Sequence, residues 1–223
     1  MAPKTTAPFL EFFFRHRIVM LLGAILSMII GSPFLDDVFR YSIIPDIFIT
    51  IIFTLGIYAI SSRKLHIYIG LAFALPMFFG VWFSHLFRMP GLLMLGQFFA
   101  AVFTGFVICL LINFIFNEKE ITKEVIFAAV VVYLLMAMMW SFAYLILDYF
   151  HPGSFSGSEG LPRDHFQYLY FSFVTITTLG YGDVAPLTPK ASSLVILEAV
   201  IGQIYLVVIV AWLVGMHVSR KSQ

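Results

Sequence analysis

Apolar residues arrive along this chain in six long runs separated by short polar breaks. Five runs, about Ile18 to Leu35, Ile43 to Ile60, Leu65 to Phe87, Gly91 to Phe116 and Ile121 to Phe150, approach or exceed the roughly 20 residues that a helix needs to cross about 30 Å of hydrocarbon. The sixth, about Pro189 to Val218, is equally long but carries one acid, Glu198. Between the fifth and the sixth, the segment from about Asp164 to Thr177 can extend only about 20 Å at ~1.5 Å per residue, which predicts a re-entrant helix rather than a span. Helix-start signals fall at the borders. Asn117 with Glu120 predicts a cap in a polar break, Asp164 with Gln167 predicts one before the short helix, and Thr188 with Pro189 opens the last run. The Gly-, Ser- and Pro-rich stretch from His151 to Pro162 predicts an exposed connection.

Composition places these helices in lipid. The 223 residues are 61% apolar and 11% charged, too few polar residues to cover a water-soluble globule. No polar block is large enough for a separate soluble domain, so the expectation is one membrane unit. It divides into a four-span N-terminal part, residues 1–117, and a C-terminal part, residues 118–223. The net charge of +1 and the lack of a basic stripe argue against a nucleic-acid partner. Cys109, the only cysteine, excludes an intrachain disulfide and is expected as a small packing residue in the middle of a span. Basic residues precede the first apolar run without a clear cleavage site after Ile30, so that run is expected to be a retained span rather than a signal peptide. With six spans and one excursion, Lys4, Arg15, Arg17, Arg63, Lys64, Lys119, Lys123, Arg220 and Lys221 fall on one side, against Arg40, Arg88, Arg163 and Lys190 on the other. This bias puts both termini in the cytoplasm.

The stretch Phe171 to Asp183 reads F-S-F-V-T-I-T-T-L-G-Y-G-D. A pore that takes potassium from water must replace its hydration shell with closely spaced oxygens, and backbone carbonyls can do this without burying a net charge. An ordinary strand alternates its carbonyls, so successive carbonyls facing one axis need backbone conformations closed to most side chains. Gly180 and Gly182 can supply them. Thr178 can add a ring of hydroxyls, and Tyr181 is expected to point outward and wedge against the short helix. A ring of such carbonyls needs four copies of a chain that carries one segment each, hence a homotetramer.

Thr178, Leu179, Gly180, Tyr181 and Gly182 match, residue by residue, the selectivity filter of the potassium channel superfamily, which the chain resembles over roughly Ile121 to Val218. Thr175, Thr177 and Asp183 fit the family's T-x-T-T-x-G-Y-G-D pattern, with Leu179 where valine is commonest. Gly202, 20 residues after Gly182, resembles the family's inner-helix hinge glycine. Where many members carry paired tryptophans, this chain has Tyr170 and Phe171, a version closer to bacterial and two-pore-type relatives. Tyr170 can donate to Asp183, whereas Phe171 cannot donate at all. The resemblance implies an all-α membrane protein with six transmembrane helices, one re-entrant pore helix and an extended filter, assembled as a tetramer in the plasma (cell inner) membrane. It implies potassium held at Thr178, Leu179, Gly180 and Tyr181, with no cofactor beyond the permeant ions.

Gating and support are less specified. The fourth run, Gly91 to Phe116, has no Arg, Lys, Asp or Glu, so it lacks the charges of a voltage sensor. Only Ser219 to Gln223 follow the last helix, so a ligand-binding domain is not expected in this chain, and gating is left to the filter, the inner helices, lipid or a regulatory partner. Glu198 is open to two readings, a structural bond to Thr175 or Thr177 on the short helix or a proton sensor, and Gln203 shares that ambiguity. Asp46 and Asp148 are expected at the interface, and the histidines show no metal spacing. No nucleophile and base pair suggests an enzyme. The rival classes are a secondary transporter, which would show broken helices in two corresponding halves, and a non-conducting regulatory subunit with a channel fold.

Overall fold

The structure is a computed structural model, which describes residues 8–39, 44–59, 64–87, 89–157 and 165–221. Seven helices lie over the expected segments: α1 Pro8–Phe39, α2 Ile44–Ala59, α3 Lys64–Phe87, α4 Pro90–Asn117, α5 Lys123–Phe150, α6 His165–Ile176 and α7 Pro189–Lys221. In hydrocarbon every backbone N–H and C=O must be satisfied within its own segment, which is why such apolar runs become helices. Five of them, α1, α3, α4, α5 and α7, are long and apolar enough to cross a membrane. The protein is an integral membrane protein. α2, at 16 residues, is shorter than a full crossing, and α6, at 12, is shorter still.

α1 extends beyond the expected run at both ends, from Pro8 to Phe39, and one expected cap is displaced. Asn117 does not cap α5; it is the last residue of α4, and its amide donates back to the Asn113 carbonyl. The cap is Thr122, whose hydroxyl accepts from Val125 N. Thr188 does cap α7, accepting from Ala191 N at 3.3 Å. The expected cap at Asp164, the loop residues 158–164, and Lys4, Arg40, Arg63 and Arg88 lie outside the described residues.

α5 is the central helix, packing against α1, α4, α6 and α7. The apolar core runs from Ile18 and Ile25 on α1 through Phe103 and Ile115 on α4 to Val132 on α5 and Ile176 on α6. α3 and α4 meet at two glycines. A Cβ on Gly80 would lie 2.6 Å from Gly96 Cα and 2.9 Å from the Leu92 carbonyl oxygen, so only glycine lets these backbones approach. Cys109 is exposed rather than packed inside. Asp46 and Asp148, expected at the interface, are both buried.

Candidate functional site

α6 ends at Ile176, and the chain then turns back on it. The N–H groups of Thr178, Leu179 and Gly180 donate to the carbonyls of Thr175, Val174 and Val174, at 2.9, 3.0 and 3.2 Å. Three consecutive amides therefore point to the same side, toward α6. In a trans peptide the N–H of one residue is antiparallel to the C=O of the residue before it, and no cis peptide bond occurs among the described residues. The carbonyls of Thr177, Thr178 and Leu179 consequently all point away from α6. A strand would have alternated them.

The backbone angles explain how this is achieved. Gly180 and Gly182 have φ of 56° and 80°, and Thr178 has φ of 60°, the only positive φ at a non-glycine among the described residues. Positive φ at every second residue reverses the alternation of a strand. At Gly180 and Gly182 nothing lies within 4 Å of a Cβ position, so glycine is needed there for conformation and not for space. Thr178 was not expected in this region, which is costly for a β-branched residue and is found where the surroundings hold it. None of the carbonyls from Thr177 to Tyr181 accepts a hydrogen bond from a described residue. The C-terminal end of α6, with its partial negative charge, lies beneath them and favours a cation.

A scaffold holds this loop from behind. Tyr170 donates to Asp183 at 2.6 Å, and Asp183 also accepts from Val184 N at 3.0 Å. The Tyr170 bond holds the Asp183 carboxyl below the usual range and pushes the Tyr170 phenol up to about 12. Beyond Asp183, Ser156 N donates to Ala185 O and Leu187 N to Ser154 O, both at 2.8 Å. The stretch after α5 is thus not wholly exposed: Ser154 and Phe155 are buried. Asp148 secures it, accepting from Ser154 N at 2.9 Å and from Tyr168 OH at 2.6 Å. Phe171, which has nothing to donate, packs its ring 5.3 Å from Tyr144 and 5.5 Å from Phe155, so aromatic packing occupies its place.

The other residues expected at the site have varied surroundings. Tyr181 is 66% exposed and does not wedge into α6 of its own chain; Leu179 also faces outward. Thr175 and Thr177 do not reach Glu198: Thr177 donates to Phe173 O at 2.6 Å. Glu198 bonds instead to Tyr144 and Ser172. α7 runs unbroken through Gly202, whose absent side chain lets α7 close on Ile176, where a Cβ would come within 2.5 Å of Cγ1. Sequence reasoning missed Tyr144, Ser172, Asp148 and Tyr133, which donates to the Ile176 carbonyl at 2.9 Å. A buried hydroxyl or acid in an apolar helix was the available signal. Among the described residues no group of His, Cys, Asp and Glu could hold a metal ion.

Comparison with known proteins points the same way as this geometry. Residues 120–218 match a family model described as ion channel. The chain is 43% identical over 51 residues to a two pore potassium channel c of Oryza sativa subsp. japonica. The aligned stretch covers 23% of this chain and 11% of the rice protein. No solved structure matches. The family match covers somewhat less than half of the chain, and an ion-channel domain points away from an enzyme.

Proposed function

We propose that the protein is a subunit of a potassium-selective channel that conducts passively through the loop from Thr178 to Gly182. The observation that carries this reading is the turn of three successive amides onto α6, which aims the carbonyls of Thr177, Thr178 and Leu179 the other way. Such a ladder offers partial negative charge at close spacing with no net charge to bury, the requirement for dehydrating a monovalent cation. Potassium ions would be held by oxygens of Thr178, Leu179, Gly180 and Tyr181, with Tyr170, Thr175, Thr177, Asp183 and Glu198 as the support.

One chain supplies one side of such a pathway, so the working unit is a homotetramer. The burial pattern supports it: 67% of the α5 span is buried within the chain but only 17% of the α7 span, whose Val200, Ile204 and Val207 face outward. The proposed unit has six spans, with α2 completing the count, residues 1–117 forming the four-span part and 118–223 the pore part, and Gly202 as a hinge. Both termini lie in the cytoplasm of a cell whose plasma membrane holds the protein. Opening is not strongly voltage-driven, because α4 carries no charged residue and each elementary charge moved would contribute only ~2.3 kcal/mol per 100 mV.

Single-channel recording of purified protein in planar bilayers tests the reading. Discrete currents carried by potassium are expected. Slow saturable flux without discrete events would indicate a transporter, and a correctly assembled but silent protein would indicate a non-conducting subunit.

A further inference from the structure

Behind the filter, three helices meet at one fully buried polar point. Glu198 on α7, Ser172 on α6 and Tyr144 on α5 are each 0% exposed. The Tyr144 hydroxyl contacts Glu198 Oε2, the Ser172 hydroxyl contacts Glu198 Oε1, and Ser172 Oγ also lies 2.7 Å from the Ala137 carbonyl oxygen on α5. Each of these three oxygen–oxygen contacts needs its own hydrogen. Tyr144 and Ser172 bring one each, and the Ala137 carbonyl brings none. The third hydrogen can come only from Glu198.

Only one arrangement satisfies all three contacts. Ser172 must donate to Ala137, because that carbonyl cannot donate. Glu198 Oε1 must then carry a proton and donate to Ser172, and Tyr144 donates to Oε2. The surroundings agree with a neutral acid. Tyr144 and Tyr133 of α5 are the titratable groups near Glu198, α6 presents a hydroxyl, and no Lys, Arg or His among the described residues bonds to it. An ionised carboxylate buried in a span without a cation is costly, whereas a neutral acid with a hydrogen bond at each of its two oxygens is not.

The position of this junction gives it a role. One helical turn further, Tyr133 on α5 donates to Ile176 O at 2.9 Å, and Gly202 on α7 closes on the same Ile176. The two rungs are four residues apart on every helix: Ala137 and Tyr133 on α5, Ser172 and Ile176 on α6, Glu198 and Gly202 on α7. Between the rungs lie Val174 and Thr175, whose carbonyls hold the amides of Thr178, Leu179 and Gly180.

We propose that Glu198 is a positioning residue that works as a neutral carboxylic acid, donating its proton to Ser172 and so fixing α6 between α5 and α7. Resting on the channel reading above, it acts on conduction through the pore helix and never touches the ion. A glutamine presents the same pattern, its amide donating to Ser172 and its carbonyl accepting from Tyr144. Valine presents neither.

The test combines infrared difference spectroscopy of the purified full-length protein at neutral pH with bilayer recording. The wild type should show a protonated-carboxyl band that vanishes in Glu198→Gln. Glu198→Gln should rescue the potassium-over-sodium permeability ratio that Glu198→Val loses. Should Glu198→Val fail to assemble, Ser172→Ala serves: it removes the acceptor of the Glu198 proton, so the band should shift and the permeability ratio should fall. Absence of the band in wild type, loss of selectivity in Glu198→Gln, or an unmoved band in Ser172→Ala would each overturn the proposal. If wild type carries no potassium current, the channel reading fails while the spectrum still decides whether Glu198 holds a proton.

Discussion

Glycine serves opposite purposes in the packed helices and in the loop that follows α6. In the N-terminal helices, Gly80 and Gly96 are helical, and they are small because another backbone lies against them. In the loop from Thr178 to Gly182, Gly180 and Gly182 have open space where a side chain would go and are glycine because their φ is positive. Buried polar groups divide in a similar way. Thr104 and Ser84 satisfy their hydroxyls within their own helices, on Ala100 O at 2.8 Å and Val81 O at 2.6 Å. Glu198, Ser172, Tyr144, Asp148 and Tyr168 bond between elements instead. The N-terminal half is thus held chiefly by close packing, with Trp82 Nε1 donating from α3 to Thr50 Oγ1 on α2 at 3.2 Å and the buried Gln97 amide left without a partner among the described residues, and the C-terminal half by a polar framework that holds one irregular loop in a set shape.

Alanine at a glycine separates the two uses. Gly180→Ala should abolish potassium selectivity, because a left-handed residue costs roughly 1–2 kcal/mol with a Cβ and the strain recurs in every subunit. Reversal potentials measure it. Gly80→Ala should leave selectivity alone and lower thermal stability, since Gly96 Cα and Leu92 O are rigid backbone and overpacking of this kind costs about 1–3 kcal/mol. A melting curve in detergent reads that. Gly23→Ala, in α1 with nothing within 4 Å of its Cβ position, should be neutral or stabilising by up to about 1 kcal/mol. If Gly180→Ala behaved like Gly23→Ala, the division would fail.

How far the sequence disclosed this division depended on whether a feature was local. The T-T-L-G-Y-G-D segment was legible because its shape is set by residues next to each other, and Gly180 and Gly182 have the positive φ their type suggested. The positive φ of Thr178 was not legible, since its own preferences oppose it and the amide bonds to α6 impose it. Glu198 was conspicuous as the acid in a span, yet its partners were misassigned. Ser172 and Tyr144 lie 26 and 54 residues away, and only the packing register of α5 and α6 selects them over Thr175 and Thr177. The Gly80 and Gly96 contact is invisible without knowing that α3 and α4 pack together. Thr122 displaced Asn117 as the cap because α4 runs through Asn117.

Smaller effects sharpen the picture of the framework. Tyr170→Phe removes the bond to Asp183 and should speed loss of current when external potassium is lowered, with the resting permeability ratio little changed. The pair also fixes a pH window. The Asp183 carboxyl is depressed, so its bond is kept at neutral pH and lost only as acid protonates it; the Tyr170 phenol is raised to about 12, so the bond is lost at the alkaline end only as pH climbs toward that value. Current should therefore be insensitive to external pH between about 5 and 9 as far as this pair is concerned. A midpoint inside that window that disappears in Asp183→Asn would show the pair to be weaker than its geometry implies.

The most direct measurement is the reversal potential of the purified protein in a bilayer with potassium on one side and sodium on the other. The wild type should give a value far toward the potassium equilibrium potential, and Gly180→Ala should collapse it toward zero. A wild-type value near zero, or one that Gly180→Ala leaves unchanged, would contradict a filter formed by Thr178 to Gly182.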